Sequence, residues 1–541
     1  MRLFLFTILY VVLAAGELAA QLTTSNLPIL VITTENGQAI PDEPKINAHL
    51  GVVWNGDGQV NHVNGPFNNY DGIIGIELRG SSSQSFPKKG YGMETRNADG
   101  SNNNVPLLGF PAENDWVLHG PYSDKSLMRN ALAYTLAGWI MDYAPRVRFC
   151  EVVINGDYRG VYLFTERIKR DKNRVNISKL EPDDNAGDAL TGGYILKFDK
   201  FDGGSSDGFP APYPPFPGSG GQTVYQYHYP KPGLITNAQK SFIQNFIYEM
   251  EHVMKSPGFA DPVTGYRKYF DTESLIHFLF IQEIGRNVDG YRLSTFMYRD
   301  RDSEDSRLHL GPIWDFNLAF GNVNYCIGPG TQGWALDFND YCPGDWWVIH
   351  HWWHRLWEDP AFRSEMRQRW FDLRADQLTN ERICHLVDSL ENLLQQPAVR
   401  NFQRWPVLNE WVWPNPQVLG TYQAEMNYLK NWLTDRLAWL DGAMEVLADT
   451  QSVPQPGSNL PFAAPNPFKD EVTFWYHGHS FRQVTIEMFN AQGQRMGEIK
   501  DRPLQDGLRQ VVWDKPLVPG VYFYKIWTGT NHAVSGKLLK L

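Results

Sequence analysis

Cysteine is scarce in this sequence, with four residues in 541: Cys150, Cys326, Cys342 and Cys384. No two of them form a Cys-x-x-Cys pair, so the common structural zinc motifs are excluded. Cys326 and Cys342 flank a glycine-rich loop. In an oxidising compartment we expect these two to form a disulfide, and we expect Cys150, inside an apolar strand, to be a buried free thiol.

Positive charge is also in short supply. The chain carries 49 Lys and Arg against 60 Asp and Glu, a net charge of -11. Proteins that bind nucleic acids normally present a basic face, so the composition argues against a nucleic-acid partner. Hydrophobic residues at 42% and charged residues at 20% are ordinary for a globular protein, and the length suits two or more domains.

Long apolar runs are missing except at the N-terminus. Arg2 precedes an apolar run from Leu3 to Ala15, and Leu18-Ala19-Ala20 offers a small-residue cleavage site. This pattern predicts a secretory signal at Met1–Ala20, and the alternative of a membrane anchor is weaker because the run is too short to span a bilayer. We therefore expect the mature chain to lack a transmembrane segment and to be secreted or held at the cell surface.

The remaining chain shows two kinds of pattern. Residues 27–447 mix apolar strand-like runs with amphipathic helical segments, which predicts an α+β domain. Residues 448–463 have the Pro, Gly and Ser composition of a linker. Short alternating segments separated by turns then occupy residues 464–541, and they predict a small C-terminal β-sandwich.

Two aspartates, Asp289 and Asp315, stand on either side of a predicted hairpin. Asp289 follows a helical segment at 272–285, and two strands at 294–299 and 308–313 lie between the two acids. This order suits phosphoryl transfer, in which one carboxylate accepts a hydroxyl proton and another holds the magnesium that bridges nucleotide phosphates. The alternative is that both aspartates only cap turns.

A basic turn lies upstream, between two predicted strands. Arg79, Lys88 and Lys89 flank the Ser- and Gly-rich sequence GSSSQSFP. Such a turn can present backbone N–H groups and cations to phosphates. Turns of the same composition also serve as plain connections between strands, so this signal is weak by itself.

A pair of histidines, His350 and His354, has the spacing of two ligands on one helical face. No third ligand follows at a recognisable spacing, and five tryptophans surround the pair. The sequence therefore favours packing over metal binding for these histidines.

Several motifs in a fixed order resemble the CotH kinase family, named from spore-coat proteins. They are RGSSS followed by KK, NGDYRGVYLFTERI, NVDGY and GPIWDFNLAFGN. The resemblance covers residues 27–447 and implies a divergent, two-lobed, protein-kinase-like domain. It also implies transfer of phosphate from ATP, with Mg²⁺, to Ser residues of extracellular or cell-surface proteins.

The resemblance also implies roles for individual residues. Asp289 takes the place of the catalytic base, and Asp315 takes the place of the metal-binding aspartate. The nucleotide phosphates would be held by Arg79, Lys88 and Lys89, with Lys89 the main contact. Glu166 and Arg167 fall in the segment that joins the lobes, near the adenine.

Departures from the kinase pattern leave a second interpretation open. Ser294 stands where a kinase has the Asn that binds a second magnesium, and either Asn317 compensates or one metal suffices. The helical segment at 125–142 contains no Glu to pair with a nucleotide-binding Lys, and no G-x-G-x-x-G loop is present. The alternative is a non-catalytic surface or adhesion protein with the same fold. A carbohydrate-active protein, suggested by 19 Trp, has no specific pair of carboxylates to support it.

The C-terminal segment carries a resemblance of its own. PNPF at 465–468, PGVYFYKI at 519–526 and the closing SGKLLKL are similar to the C-terminal sorting domain of the type IX secretion system. That module directs cargo of Bacteroidetes-type bacteria through the outer membrane. It implies the type IX secretion machinery as a partner, in agreement with the predicted signal peptide.

Overall fold

The computed structural model describes most of the chain, namely residues 22–200, 207–449, 462–464, 468, 471–478, 483–502, 507–513, 515–527 and 533–540. The predicted signal peptide at Met1–Ala20 and residues 450–461 of the predicted linker lie outside the described residues. The mixture of helices and strands agrees with the predicted α+β class. Within the described ranges, no helix is long and apolar enough to cross a membrane.

The chain divides into two compact units. One consists of residues 22–353 and 369–440, and the other consists of residues 354–368 with the described part of 441–541. The strands of the first unit are β1 (Thr24–Ser25), β2 (Ile29–Thr34), β3 (Ile46–Val53), β4 (Asn61–His62), β5 (Tyr70–Arg79), β6 (Gly90–Arg96), β7 (Val105–Leu107), β8 (Phe110–Glu113), β9 (Asp115–His119), β10 (Val147–Ile154), β11 (Asp157–Glu166), β12 (Tyr194–Phe198), β13 (Gly208–Pro210), β14 (Val224–Tyr229), β15 (Thr295–Arg299) and β16 (Leu308–Leu310).

A closed barrel forms the N-terminal part of the first unit. Its strand order is β10-β11-β9-β6-β5-β3-β2, and the parallel pairing of β10 with β2 closes it. Side chains alternate across each strand, so Leu30 and Ile32 of β2 point into the barrel core while Ile29 packs in a separate apolar cluster. Closure leaves these seven strands with no free edge.

A second sheet follows, with the order β13-β14-β12-β15-β16 and antiparallel neighbours throughout. In its register, Phe198 at the end of β12 pairs with Thr295 at the start of β15. Leu310 at the end of β16 pairs with Met297 in the middle of β15, and the next N–H, that of Gly311, donates to the Phe296 carbonyl nearer the start of β15. The end of β12, the beginning of β15 and the end of β16 therefore lie at one edge of the sheet.

The helices confirm part of the predicted pattern. The segment at 272–285 is a helix with the predicted bounds, capped by the Asp271 side chain, which accepts from the Ser274 N–H. The helices are α1 (Arg129–Ile140), α2 (Gly187–Thr191), α3 (Asn237–Lys255), α4 (Thr272–Gly285), α5 (Phe338–Tyr341), α6 (His351–Trp357), α7 (Pro360–Ala375), α8 (Asn380–Arg404) and α9 (Tyr422–Asp449).

Two helix predictions need correction. The aromatic sequence at 345–375 predicts a single helix, but the structure breaks it into α6 and α7 before Pro360, since proline has no N–H to continue the preceding helix. The sequence also predicts a helix at 381–395, which in the structure continues through Pro397 to the end of α8. Its last turns are held by Asn401, whose side chain accepts from the Val161 N–H and the Lys88 ammonium.

The second unit contains two antiparallel sheets. Their strands are β17 (Phe462–Ala464), β18 (Thr473–Gly478), β19 (Val484–Asn490), β20 (Arg495–Asp501), β21 (Gly507–Val512), β22 (Gly520–Trp527) and β23 (Ala533–Lys540). The sheets have the orders β17-β18-β21 and β20-β19-β22-β23. Both contribute to one apolar cluster, with Phe474 from the first and Ile486, Tyr524 and Leu538 from the second. The sequence did not predict β20, because its charged side chains hide the alternation.

Three of the four cysteines were given a predicted state, and all three take it. Cys326 and Cys342 form a disulfide with 5.5 Å between their Cα atoms. Cys150 is a buried free thiol in β10, and Cys384 is free and exposed on α8.

Candidate active site

Three aspartates converge at the edge of the second sheet defined above. Asp199 directly follows β12, Asp289 lies in the turn between α4 and β15, and Asp315 follows β16. Arg286 turns the chain after α4 with a left-handed backbone at φ 41°. Antiparallel pairing brings the three aspartates to the same end of the sheet, close enough for Asp289 and Asp199 to repel Asp315, although they are distant along the chain.

Asp315 is held in position by α1. Its φ of 62° lies in the left-handed region, which is costly for a residue with a side chain. The N–H of Asp315 donates to the Tyr134 hydroxyl at 3.1 Å, and the N–H of Phe316 donates to Asn130 Oδ1 at 2.6 Å. Both acceptors lie on buried positions of α1, so this helix fixes the backbone that presents the carboxylate.

The Asp315 carboxyl has a perturbed acidity. Crowding by the surrounding protein, followed by repulsion from Asp289 and Asp199, raises its pKa to about 7, against the opposing effects of Lys200 and Arg79. The side chain is nevertheless exposed to solvent. Because water reaches the carboxylate, burial has a small effect on it, and the repulsion from Asp289 and Asp199 is what a bound cation would relieve.

Asp289 is anchored on one side only. Its Oδ1 accepts from Arg292 Nη2 at 2.7 Å. The Arg292 side chain is buried, its guanidinium lies 3.9 Å from the Phe338 ring centroid, and its Nη1 donates to the Trp347 carbonyl at 2.8 Å. Within the described chain, Asp289 Oδ2 receives no hydrogen bond, so this oxygen is available to accept a proton.

Asp199 is a site residue that the sequence did not single out. Its carboxylate pairs with Lys197 at 2.9 Å, and its Oδ1 accepts from the Lys200 N–H at 2.9 Å. The Gln226 side chain donates to the Asp199 carbonyl at 2.6 Å. One sequence signal could have identified Asp199. The predicted strand GYILKFDK ends in ionisable residues, and Asp315 likewise follows a strand.

Arg79, at the end of β5, is the residue of the predicted basic turn that lies near the acids, in addition to Lys197 and Lys200. Its guanidinium lies 5.5 Å from the Trp314 ring centroid. Burial, followed by repulsion from Arg167, lowers the pKa of Arg79 to about 10, while Asp315 and Asp199 oppose this. Arg167 also pairs with Asp115 at 3.7 Å. Arg79 therefore lies within electrostatic reach of the carboxylates, with Arg167 close enough to repel Arg79.

The two lysines of the basic turn are placed differently. Lys88 is buried, and its ammonium donates to the Val161 carbonyl at 2.6 Å and to Asn401 Oδ1 at 2.7 Å. The prediction that Lys88 holds phosphates does not agree with this placement, because the ammonium is already fully used. Lys89 is half-buried and donates to the Gln84 carbonyl at 2.5 Å within its own turn.

Glu166 is also committed to internal contacts. Its buried carboxylate accepts from the Arg146 N–H at 3.0 Å, from Arg146 Nη1 at 2.6 Å and from the Tyr143 hydroxyl at 3.2 Å. Arg174 lies 3.7 Å away. The side chain predicted to lie near adenine is thus a structural anchor, and a ligand there would meet the backbone of the segment.

The remaining predicted ligands flank the same edge. Ser294, 9% exposed, has a left-handed backbone at φ 47° immediately before β15. Asn317 is half-buried two residues after Asp315. Among the described residues, the carboxylates of Asp199, Asp289 and Asp315 are not close enough together to form a three-ligand metal site by themselves. The oxygen donors suit Mg²⁺, which takes only a few protein ligands and completes its shell with water and phosphate oxygens.

Comparison with known proteins identifies a family for this chain. A family model described as CotH kinase protein matches residues 76–440, a range that includes Arg79, the three aspartates and both predicted extra ligands. No curated protein matches the chain. Because the matched range covers more than half of the sequence, the chain belongs to the CotH kinase family.

Proposed function

We propose that this protein is an exported, ATP- and magnesium-dependent kinase that transfers the ATP γ-phosphate to Ser residues of extracellular or cell-surface proteins. The observation that carries the proposal is the convergence of Asp199, Asp289 and Asp315 opposite Arg79. Family membership supports the kinase chemistry. In this proposal the barrel corresponds to one lobe and the second sheet with its helices to the other.

Each residue has a role in the proposal. Asp289 accepts the proton of the attacking serine hydroxyl through Oδ2, while Arg292 holds the other oxygen in place. The Mg²⁺ would neutralise phosphate charge, and its protein ligands would be Asp315, with Asp199, Asn317 or Ser294 beside it. Arg79 and Arg167 would face the phosphates, with Lys89 at the margin of the basic turn.

The acidity of Asp315 fits a cation site. A carboxylate whose neighbours raise its pKa to about 7 is in a field that favours any added positive charge. Binding of Mg²⁺ is therefore expected to strengthen as the pH rises through 7, because the proton no longer competes.

The test is transfer of label from γ-labelled ATP to a panel of secreted proteins or to the protein itself, with analysis of the labelled amino acid. We expect phosphoserine with the unmodified protein. Asp289→Asn should lower the rate by about 10²-fold or more, as loss of a general base does. Asp315→Asn should abolish the transfer that depends on magnesium.

A matched control is Asp183→Asn, since Asp183 is exposed in the turn that precedes α2 and is not one of the site residues. This variant should keep the full rate. Equal rates in all four proteins, or label on residues other than serine, would contradict the proposed site or the proposed acceptor.

A non-catalytic surface protein is the second candidate. Ser294 in place of the usual Asn favours it, and so does the engagement of Lys88 by Asn401, which leaves Lys88 unavailable to a nucleotide. A thermal unfolding titration with ATP and Mg²⁺ separates the two candidates. Ligands that bind only the folded state raise its stability. If a high concentration of ATP with Mg²⁺ does not raise the Tm, the result supports the non-catalytic interpretation.

Export is the remaining part of the proposal. The predicted signal at Met1–Ala20 and the resemblance of 464–541 to a type IX sorting domain support it. Expression in a bacterium with that machinery should place the protein outside the outer membrane, and deletion of 464–541 should retain it in the periplasm. Retention of the full chain would contradict the sorting role.

A further inference from the structure

Away from the three aspartates, one cluster of metal-binding side chains is built from distant parts of the chain. Glu251 lies near the end of α3, and His350 and His351 lie at the start of α6. His350 Nε2 lies 2.9 Å from Glu251 Oε1, and His351 Nε2 lies 3.4 Å from Glu251 Oε2. The three potential ligand atoms all fall within 4.8 Å of one another.

The cluster contains buried polar atoms that the described protein leaves unsatisfied. Glu251 is fully buried and His351 is 8% exposed. Neither Glu251 Oε2 nor His351 Nε2 has a hydrogen-bond partner of good geometry, although they face each other. Buried polar atoms without partners are uncommon, and an ion is one of the few groups that satisfies both a carboxylate oxygen and an imidazole nitrogen.

Surrounding side chains hold the cluster as an outer ligand shell would. The Thr223 hydroxyl lies 3.0 Å from His350 Nδ1, which directs Nε2 toward Glu251. The Tyr225 hydroxyl donates to Glu251 Oε1 at 2.6 Å and accepts from Trp352 Nε1 at 3.2 Å. Ligating histidines and carboxylates are typically oriented in this way by a second hydrogen bond.

We propose that Glu251, His350 and His351 bind one zinc ion or a similar late first-row divalent cation. Zinc bonds of about 2.0–2.2 Å to nitrogen and oxygen place tetrahedral ligand atoms roughly 3.3 Å apart. The separation of 3.4 Å between His351 Nε2 and Glu251 Oε2 is close to that value, and His350 Nε2 lies 2.9 Å from the other oxygen of the same carboxylate. Two imidazoles and one carboxylate suit zinc rather than magnesium, and water would supply the fourth ligand.

The site revises the interpretation of the histidine pair. Spacing along a helix paired His350 with His354, and no third ligand was visible in the sequence. The fold instead pairs His350 with its neighbour His351 and adds Glu251 from a helix about a hundred residues earlier. Helical periodicity cannot reveal such a set, because only tertiary packing brings the glutamate to the histidines.

The ion would also have a structural consequence for the aspartate cluster. His350 ends a segment in which Trp347 accepts from Arg292 and Asp345 lies 3.6 Å from the same guanidinium. Arg292 in turn orients Asp289. Fixing the end of this segment to α3 would therefore support the position of Asp289 from a distance.

The experiment measures metal content of the full mature chain, without nucleotide, by elemental mass spectrometry. The protein is stripped with a chelator, reloaded with Zn²⁺ and dialysed against metal-free buffer. We expect one zinc per chain in the unmodified protein and a large loss of zinc in both Glu251→Gln and His351→Gln. Reloading with Co²⁺ should give the visible absorption of tetrahedral cobalt, a readout independent of activity.

The matched control is His385→Gln, because His385 is exposed on α8 and outside the cluster. It should keep the full zinc content and the cobalt spectrum. Circular dichroism checks that each variant is folded. If both site variants unfold, the unmodified chain still decides, since failure to retain zinc or to show the cobalt spectrum overturns the proposal. Equal zinc content in folded site variants and control overturns it as well.

Discussion

At the scale of single residues, the candidate site depends on Asp315, whose left-handed backbone is fixed by α1 and whose carboxyl is crowded by Asp199 and Asp289. A carboxyl with a raised pKa keeps a proton in the folded state after the unfolded chain has lost it. Its contribution to stability therefore falls as the pH rises from about 4 to about 7 and is constant above that.

Asp315→Asn tests this electrostatic description. The amide removes the repulsion, so the variant should be more stable than the unmodified protein at pH 8, by roughly 1 kcal/mol because solvent screens the exposed group. At pH 4 the difference should disappear. Thermal unfolding at the two pH values measures it, and Mg²⁺ should reduce the gain at pH 8. A difference that is the same at both pH values would contradict the description.

Lys88 gives a second prediction at this scale. Lys88→Met removes an ammonium that satisfies the Val161 carbonyl and Asn401 Oδ1 in a buried position, which should cost about 2 kcal/mol or more. The rise in Tm on adding ATP and Mg²⁺ should be unchanged, since the ammonium is bonded inside the fold. Loss of the nucleotide effect in a folded Lys88→Met protein would restore Lys88 as a phosphate ligand.

Sequence reasoning identified the aspartates more readily than their neighbours. Asp289 and Asp315 follow a helix and a hairpin that are local in the chain, so their order is visible. Asp199 depends on the pairing of β12 with β15, which are about a hundred residues apart. Arg79 and Lys88 looked equivalent in the sequence, and only the packing of α8 against the barrel distinguishes them.

At the scale of elements, α4 is the centre of a buried ionic network. Glu283 accepts from the N–H groups of Ala335 and Leu336 and from the Tyr291 hydroxyl. Arg436 on α9 completes the network at 2.9 Å, with both charged side chains fully buried. The network fixes α4, and with it the turn that carries Asp289.

Arg436→Met should therefore be strongly destabilising. It leaves the Glu283 charge buried without its partner, a change that costs about 3–5 kcal/mol. Lys430→Met on the same helix is the control, because its pairs with Asp388 and Glu391 are partly exposed and should contribute less than about 1 kcal/mol. Chemical denaturation of both variants gives the comparison, and equal losses would contradict the assigned importance of the network.

The elements that the sequence predicted well are those with a clear local period. The strands of the second unit with strict alternation are of this kind, whereas the helix at 272–285 is buried on every face over its last three turns and shows no such period. Barrel closure was not predictable, because β2 and β10 pair across more than a hundred residues. The sequence also did not predict that α8 continues past Pro397. Its last turns are stabilised by hydrogen bonds of Asn401 with Val161 of β11 and with Lys88, which are distant in the chain.

At the scale of the whole molecule, the disulfide is the feature most closely tied to the proposed location outside the cell. Cys326–Cys342 closes a short loop after Asp315, and closing a loop of about 15 residues stabilises a chain by about 3 kcal/mol in the chain-entropy description. The double variant Cys326→Ser/Cys342→Ser should unfold at a lower temperature. Cys384→Ser, which removes an exposed free thiol, should not.

Adding a reductant tests whether the disulfide itself causes the difference in Tm. If reductant lowers the Tm of the unmodified protein and of Cys384→Ser equally, but leaves the double variant unchanged, the disulfide accounts for the effect. A double variant as stable as the unmodified protein would show that the bond contributes nothing to the fold.

The central claim is that Asp199, Asp289 and Asp315, at one edge of the second sheet, form the binding site for ATP with Mg²⁺. Calorimetric titration of ATP into the protein, with and without Mg²⁺, tests it most directly. We predict binding that requires Mg²⁺ and that weakens about tenfold or more, equivalent to about 1.4 kcal/mol, in Asp315→Asn but not in Asp183→Asn. Binding of ATP with the same affinity in Asp315→Asn, or no binding by the unmodified protein, would contradict the claim.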